Sequence, residues 1–190
     1  MQEAMNENLN ETILSSETVF EGDIFNVDHV DVLVADGSPA TRDIIRHSGA
    51  VGIIALDGKG NILIVRQYRT SLERITAEIP AGRLEPGEDP LECATRELSE
   101  ETGYNAEHIE YVGAIASAAG YSDELVHIVY AHGLTPGKAH PDEDEFVASE
   151  WVNIDDIVDA VLSGEIEDSK TMVAALMADA QRRRGTWKSL

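Results

Sequence analysis

Residues 82–104 read GRLEPGEDPLECATRELSEETGY, a Gly- and Pro-rich loop running into a segment of helical composition. Pro90 suits the first turn of a helix, Asp89 is a plausible N-cap, and Gly103 is a C-cap candidate. The helix between them carries Glu92, Arg96, Glu97, Glu100 and Glu101. Residues three and four apart are neighbours on a helix surface, so Glu97, Glu100 and Glu101 crowd together. Like charges so placed cost a few tenths of a kcal/mol per pair. A hard divalent cation offsets that cost, because Mg²⁺ is held by a few carboxylates together with substrate phosphates. A solvated acidic face would account for the helix alone, but the loop before it favours a pocket. Gly82 and Gly87 free the backbone for close approach to a ligand, and Glu88 adds a further carboxylate. Arg96 follows Glu92 by four residues and is expected either to pair with it or to brace the neighbouring carboxylates.

The surrounding chain has the length and composition of one globular domain: 190 residues, 43% hydrophobic and 26% charged. Its formal net charge is −22, which argues against nucleic acid and anionic membranes as partners, since both need a positive footprint. The same charge means that an anionic substrate must be met by bound metal and a few arginines. Apolar runs such as Gly49–Leu56 are strand-length and too short to cross a membrane. The acidic, polar beginning MQEAMNENLNETILSSE is unlike a secretory signal, so a cytoplasmic location is expected. Cys93 is the sole cysteine, which excludes a disulfide framework or a Cys-based metal site. The six histidines lack metal-ligand spacing.

Residues 1–16 read as loosely ordered. Residues 17–48 read as a small antiparallel sheet with a hairpin at Asp36-Gly37. The main body, 49–190, opens with a strand at SGAVGIIAL, a turn at Asp57–Gly60 and a hairpin partner at NILIVRQYR. AEIPAG reads as a third strand, and three more follow at IEYVGAIAS, ELVHIVYAHGL and EFVASEWV. Two helices close the chain. One is expected to bury Ile154, Ile157, Val158, Val161 and Leu162, and the other Met172, Leu176 and Ala180. Strands and helices so interleaved predict an α/β sandwich on a mixed sheet, preceded by the N-terminal antiparallel sheet.

From Gly82 through Glu88 and Arg96-Glu97-Leu98-Ser99-Glu100-Glu101 to Gly103-Tyr104, the chain resembles the Nudix box, G-x5-E-x7-R-E-U-x-E-E-x-G-U. Tyr104 stands at a usually aliphatic position. The resemblance implies an α/β/α Nudix hydrolase that uses Mg²⁺, or Mn²⁺, to cut a diphosphate linkage. It implies that Glu97, Glu101 and the carbonyl of Ala81 are metal ligands, with Glu100 assisting. Arg96 and Glu88 would orient these carboxylates, while Gly82 and Gly103 shape the box. Metal bound there would polarise the diphosphate, activate water and stabilise the leaving phosphate.

Beyond the box, RDIIRHSGAVGII (42–54), VRQYR (65–69), EIPAG (78–82), GYSDE (120–124), PDEDEFV (141–147) and DSKTMVAAL (168–176) are similar to segments of bacterial ADP-ribose pyrophosphatases. That resemblance implies hydrolysis of ADP-ribose to AMP and ribose 5-phosphate by a homodimer whose N-terminal sheet reaches the partner subunit. Arg46 and Arg69 are the arginines expected near the nucleotide-sugar substrate, a guanidinium fork being suited to phosphate and ribose oxygens. Glu78 would contact the nucleoside. Phe20 would stack on adenine or serve as a core aromatic. In the acidic run Asp142–Glu145, Glu143 would be the general base and Glu145 a metal-side carboxylate, though the neighbouring acids are rivals. Ala119 stands where these enzymes carry proline, so GDP-mannose or another nucleoside diphosphate sugar is the alternative substrate. A non-catalytic ADP-ribose sensor is disfavoured, because every box carboxylate is present and the chain is too acidic for DNA.

Overall fold

The computed structural model describes residues 9–141 and 145–185. They form ten strands: β1 (Thr12–Glu21), β2 (Phe25–Leu33), β3 (Pro39–His47), β4 (Ala50–Ala55), β5 (Asn61–Arg69), β6 (Arg74–Glu78), β7 (Ala81–Arg83), β8 (Tyr104–Ala116), β9 (Leu125–Pro136) and β10 (Ala148–Asn153). Three helices accompany them, α1 (Pro90–Thr102), α2 (Ile154–Ser163) and α3 (Ser169–Arg183). The chain divides into two compact units. One comprises the N-terminal residues through Ser48 with Ala116–Glu124; the other comprises Gly49–Ile115 and the chain from Leu125 onward.

The first unit is an antiparallel sheet in the order β1-β2-β3. Its β2–β3 hairpin turns at Gly37, where φ is 83°, as the Asp-Gly pair predicts. β1 starts at Thr12, earlier than the expected loose order through residue 16. Ladder pairing with β2 and the bonds Ser15–Asp31, Ser16–Asp28 and Thr18–Asp28 extend it. Polar hydroxyls that read as loop composition are here cross-strand partners.

In the second unit β4 lies between antiparallel β7 and parallel β9, with β8 beyond, while β5 lies between β10 and β6. β4 and β5 are therefore not the expected hairpin pair; only a single bridge, Leu56 to Ile62, joins them. β4 and the Ile62–Val65 half of β5 are almost continuously apolar and covered on both faces. Side chains alternate between two cores. Ile54, Ile62 and Ile64 pack with Ile154, Ile157, Val161, Ala174 and Ala178 of the last two helices. Val51, Ile53 and Leu63 pack with Cys93, Ala94 and Leu98 of α1. The layers are helix, sheet, helix.

AEIPAG is two strands rather than one. Pro80 has no N–H for a ladder, and its carbonyl takes the N–H of Ile53 at 2.8 Å. Leu162, 73% exposed, falls outside the buried stripe of α2. On α3 the buried face is Thr171, Ala174, Ala175 and Ala178; Leu176 is 42% exposed and Ala180 is also exposed. Met172, half-buried, does pack against this core as expected, while the alanines bring the helix close to the sheet and leave Leu176 off the face.

Candidate active site

The box helix begins and ends as its sequence dictates. Asp89 accepts the N–H of Leu91 at 2.8 Å, and Pro90 occupies the first turn. Gly103 ends α1 in the left-handed region, with φ 75° and its N–H on the carbonyl of Ser99. Cys93, Ala94 and Leu98 anchor the buried side. The next segment closes on the helix end: Gly137 N–H meets the Gly103 carbonyl at 2.7 Å, and His140 N–H meets that of Glu100 at 2.9 Å.

Arg96 is the brace. Its Nε and Nη2 donate to the two oxygens of Glu88 at 2.9 Å each, a bidentate fork across the loop. Its Nη1 donates to Glu97 at 2.7 Å and Glu100 at 3.1 Å. Of the two roles open to Arg96, bracing the carboxylates is the one the geometry displays. Gly82 is required for a different reason from backbone freedom. A Cβ on it would lie 1.8 Å from Cδ of Glu97, so the carboxylate rests directly over the glycine.

Electrostatically the acids divide into two groups. The Arg96 fork holds the Glu88 carboxyl at about 2, with burial only partly opposing it. Glu101 is 8% exposed, and burial pushes its carboxyl up to about 7; Glu145, Glu97 and Glu78 add to the rise while the Ala81 N–H at 3.1 Å resists it. Glu97 is raised by burial too, with Glu100 and Glu145 contributing and Arg96 opposing. Glu97, Glu101 and Glu145 thus form a carboxylate set whose members repel one another, with Arg96 on Glu97 as the cation that offsets part of it. Its donors are all oxygen, which fits a hard divalent cation. Among the described residues, no three His, Cys, Asp or Glu side chains already converge as a metal cage. Arg96 holds Glu97 and Glu100, and Glu101 rests on the Ala81 amide, so one or two carboxylates would act with water and substrate oxygens.

Glu78 and Arg69, both singled out from the sequence, meet each other. Arg69 Nε and Nη2 each lie 2.7 Å from an oxygen of Glu78, and Thr76 Oγ1 donates to the same carboxylate at 2.6 Å. Burial alone would push the Glu78 carboxyl up, yet Arg69, Lys170 and Thr76 hold it at about 2. Lys170 escaped the sequence reading; it contacts Glu78 from the first turn of α3 and bonds Asp168 at 2.9 Å. Gln67, at 3.5 Å from Glu101, was also missed. The only sequence signal for either was position, within VRQYR and DSKT.

Arg46 and Phe20 belong to the N-terminal unit. Arg46 pairs with Asp28 at 2.9 Å and Asp123 at 3.1 Å. Phe20 is 52% exposed with its ring 6.0 Å from that of Phe25, so it is not a core aromatic. The loop bearing Ala119 is closed without proline, because Tyr121 and Ser122 both donate to the Ala118 carbonyl, at 3.0 and 2.9 Å. Glu143 lies outside the described residues; Glu145 lies within them.

The sequence matches the model of the NUDIX domain over residues 46–176, and the chain belongs to that family. An ADP-ribose pyrophosphatase of Bacillus subtilis is 40% identical over 168 residues, covering 87% of this chain and 91% of the relative. A methanol dehydrogenase activator of Bacillus methanolicus is 40% identical over 166 residues, covering 86% and 90%. The crystal structure of an ADP compounds hydrolase matches with a TM-score of 0.80, over 93% of this chain and 96% of that one, at 24% identity. That last likeness is one of fold. No helix among the described residues is long and apolar enough to cross a membrane.

Proposed function

We propose that the protein is a Mg²⁺-dependent pyrophosphatase that hydrolyses ADP-ribose to AMP and ribose 5-phosphate. The observation that carries this reading is the buried Glu101 beside Glu97, two carboxylates raised by burial and by neighbouring acids. Such a pair favours a cation over a proton only when one is supplied, and diphosphate oxygens complete its coordination. A bound divalent ion would polarise the diphosphate and stabilise the charge that develops as the P–O bond breaks. Arg96 keeps Glu97 and Glu100 in place, and Arg69 offers a guanidinium to the anionic substrate. Glu143 takes a proton from the attacking water, whose oxygen is retained in one product, and Glu145 acts on the metal side. The two 40% identical relatives support the family assignment, and the pyrophosphatase among them supports the substrate. A homodimer through the N-terminal sheet is part of the reading; exposed Ile13, Val19, Phe20 and Ile24 there support it.

Incubation with ADP-ribose, GDP-mannose and other nucleoside diphosphate sugars, with Mg²⁺ or Mn²⁺, tests the reading. AMP release from ADP-ribose at the highest kcat/KM is expected. A clear preference for GDP-mannose would replace the substrate, and no turnover of any would overturn the assignment.

The raised carboxyl also predicts a pH effect. Glu101 ionises near its ordinary 4.5 in the unfolded chain and near 7 in the folded one. The folded state therefore holds a proton the unfolded state has released, and metal-free stability falls as pH rises through that window. A divalent ion binds the ionised form, so Mg²⁺ should raise Tm more at pH 8 than at pH 5.5. Equal shifts at both pH values would contradict this.

A further inference from the structure

We infer that Lys170 is a positioning residue for substrate binding, holding Glu78 so that Glu78 fixes the Arg69 guanidinium beside the carboxylate cluster. This deepens the proposed function and rests on it.

Lys170 sits where a cation is unfavourable. It lies in the first turn of α3, whose amide groups carry the positive end of the helix dipole. Something else must hold it there. Asp168 caps the helix, accepting from Thr171 N–H at 2.9 Å and Thr171 Oγ1 at 2.6 Å, and it also binds the Lys170 ammonium at 2.9 Å. Thr171 Oγ1 in turn accepts the buried N–H of Ile79 at 2.8 Å. The stretch Asp168–Thr171 thus fastens the start of α3 to the residues just ahead of the catalytic loop. Lys170 is the member of it that reaches Glu78.

Glu78 is 2% exposed, and a buried carboxylate is stable only with its oxygens fully engaged. Arg69 and Thr76 engage one oxygen, and Arg69 and Lys170 the other. The fork fixes the guanidinium plane through Nε and Nη2. Among the described residues Nη1 has no hydrogen bond, so it remains for an anionic oxygen of the substrate. With Lys170 the four charged groups, Arg69, Lys170, Glu78 and Asp168, sum to zero. Without it they sum to −1, next to acids that already repel one another, where an anionic diphosphate must bind.

The test is Lys170→Met. KM for ADP-ribose should rise about tenfold while kcat stays within about threefold, and Lys170→Arg should restore most of the loss. In a Glu78→Gln background, Lys170→Met should add little, since Lys170 acts through that carboxylate. Calorimetric binding of ADP-ribose in EDTA should weaken by a similar factor, and it reads the effect without turnover. A lower Tm with unchanged KM and Kd would overturn the inference and leave Lys170 a stabilising contact. So would independent, multiplying effects of the two substitutions. A wild type that binds ADP-ribose but never cleaves it would sink the hydrolase reading alone, and one that binds no nucleotide would sink both.

Discussion

Glu101→Gln lowers kcat/KM by roughly 10²–10³-fold and leaves the protein folded. Gln keeps the size of the side chain and an oxygen for the Ala81 amide. What it removes is the charge, and with it, on the proposed mechanism, the affinity for a cation that would polarise phosphorus. Because ionising this buried carboxyl works against folding, metal-free Glu101→Gln should melt at or above the wild type at pH 8. Activity assays with thermal melts at two metal concentrations check both halves. Turnover within threefold of wild type would remove Glu101 from the site.

Gly82→Ala is the second large effect. A methyl there would meet Glu97 at 1.8 Å from Cδ and 2.1 Å from Oε1, so the carboxylate must leave. Arg96 holds Glu97 in its present position, and α1 is pinned by its caps at both ends. The helix has little room to shift as a body. A displacement of about 1 Å at a reacting centre is enough to cost ~100-fold in rate, while the clash falls on the end of a flexible side chain and changes stability far less. Steady-state kinetics with denaturant unfolding measure the two separately. Near-normal activity would mean that Glu97 tolerates another rotamer and does not act from the observed one.

The box helix was legible in the sequence because its signals are local: Asp89, Pro90 and Gly103 punctuate it, and the glutamates follow helical spacing. Even there the reason for Gly82 was hidden. A glycine reads as backbone freedom, whereas the fold needs it for clearance under a side chain fifteen positions later. Turn residues at Asp57–Gly60 signalled a reversal but could not say whether the two strands pair or enter separate sheets. The buried face of α3 was only partly legible: Met172 packs against the core, whereas Leu176 and Ala180 lie off the face that Ala174, Ala175 and Ala178 bury. Lys170 was invisible for the plainest reason, being 92 residues from Glu78, a distance only the tertiary fold closes.

The ladder that joins β5 to β10 has a consequence for how this enzyme comes into being. Asn61 pairs with Asn153 and Arg66 with Ala148, so the sheet flanking the box lacks a border strand until late in synthesis. Every glutamate of the box is translated well before that, while the β5 sheet is still unfinished. Local helix formation is fast, and closing so long a loop is slow. A growing chain therefore carries its acidic helix for some time beside an incomplete sheet, and the full fold arrives only with its final third.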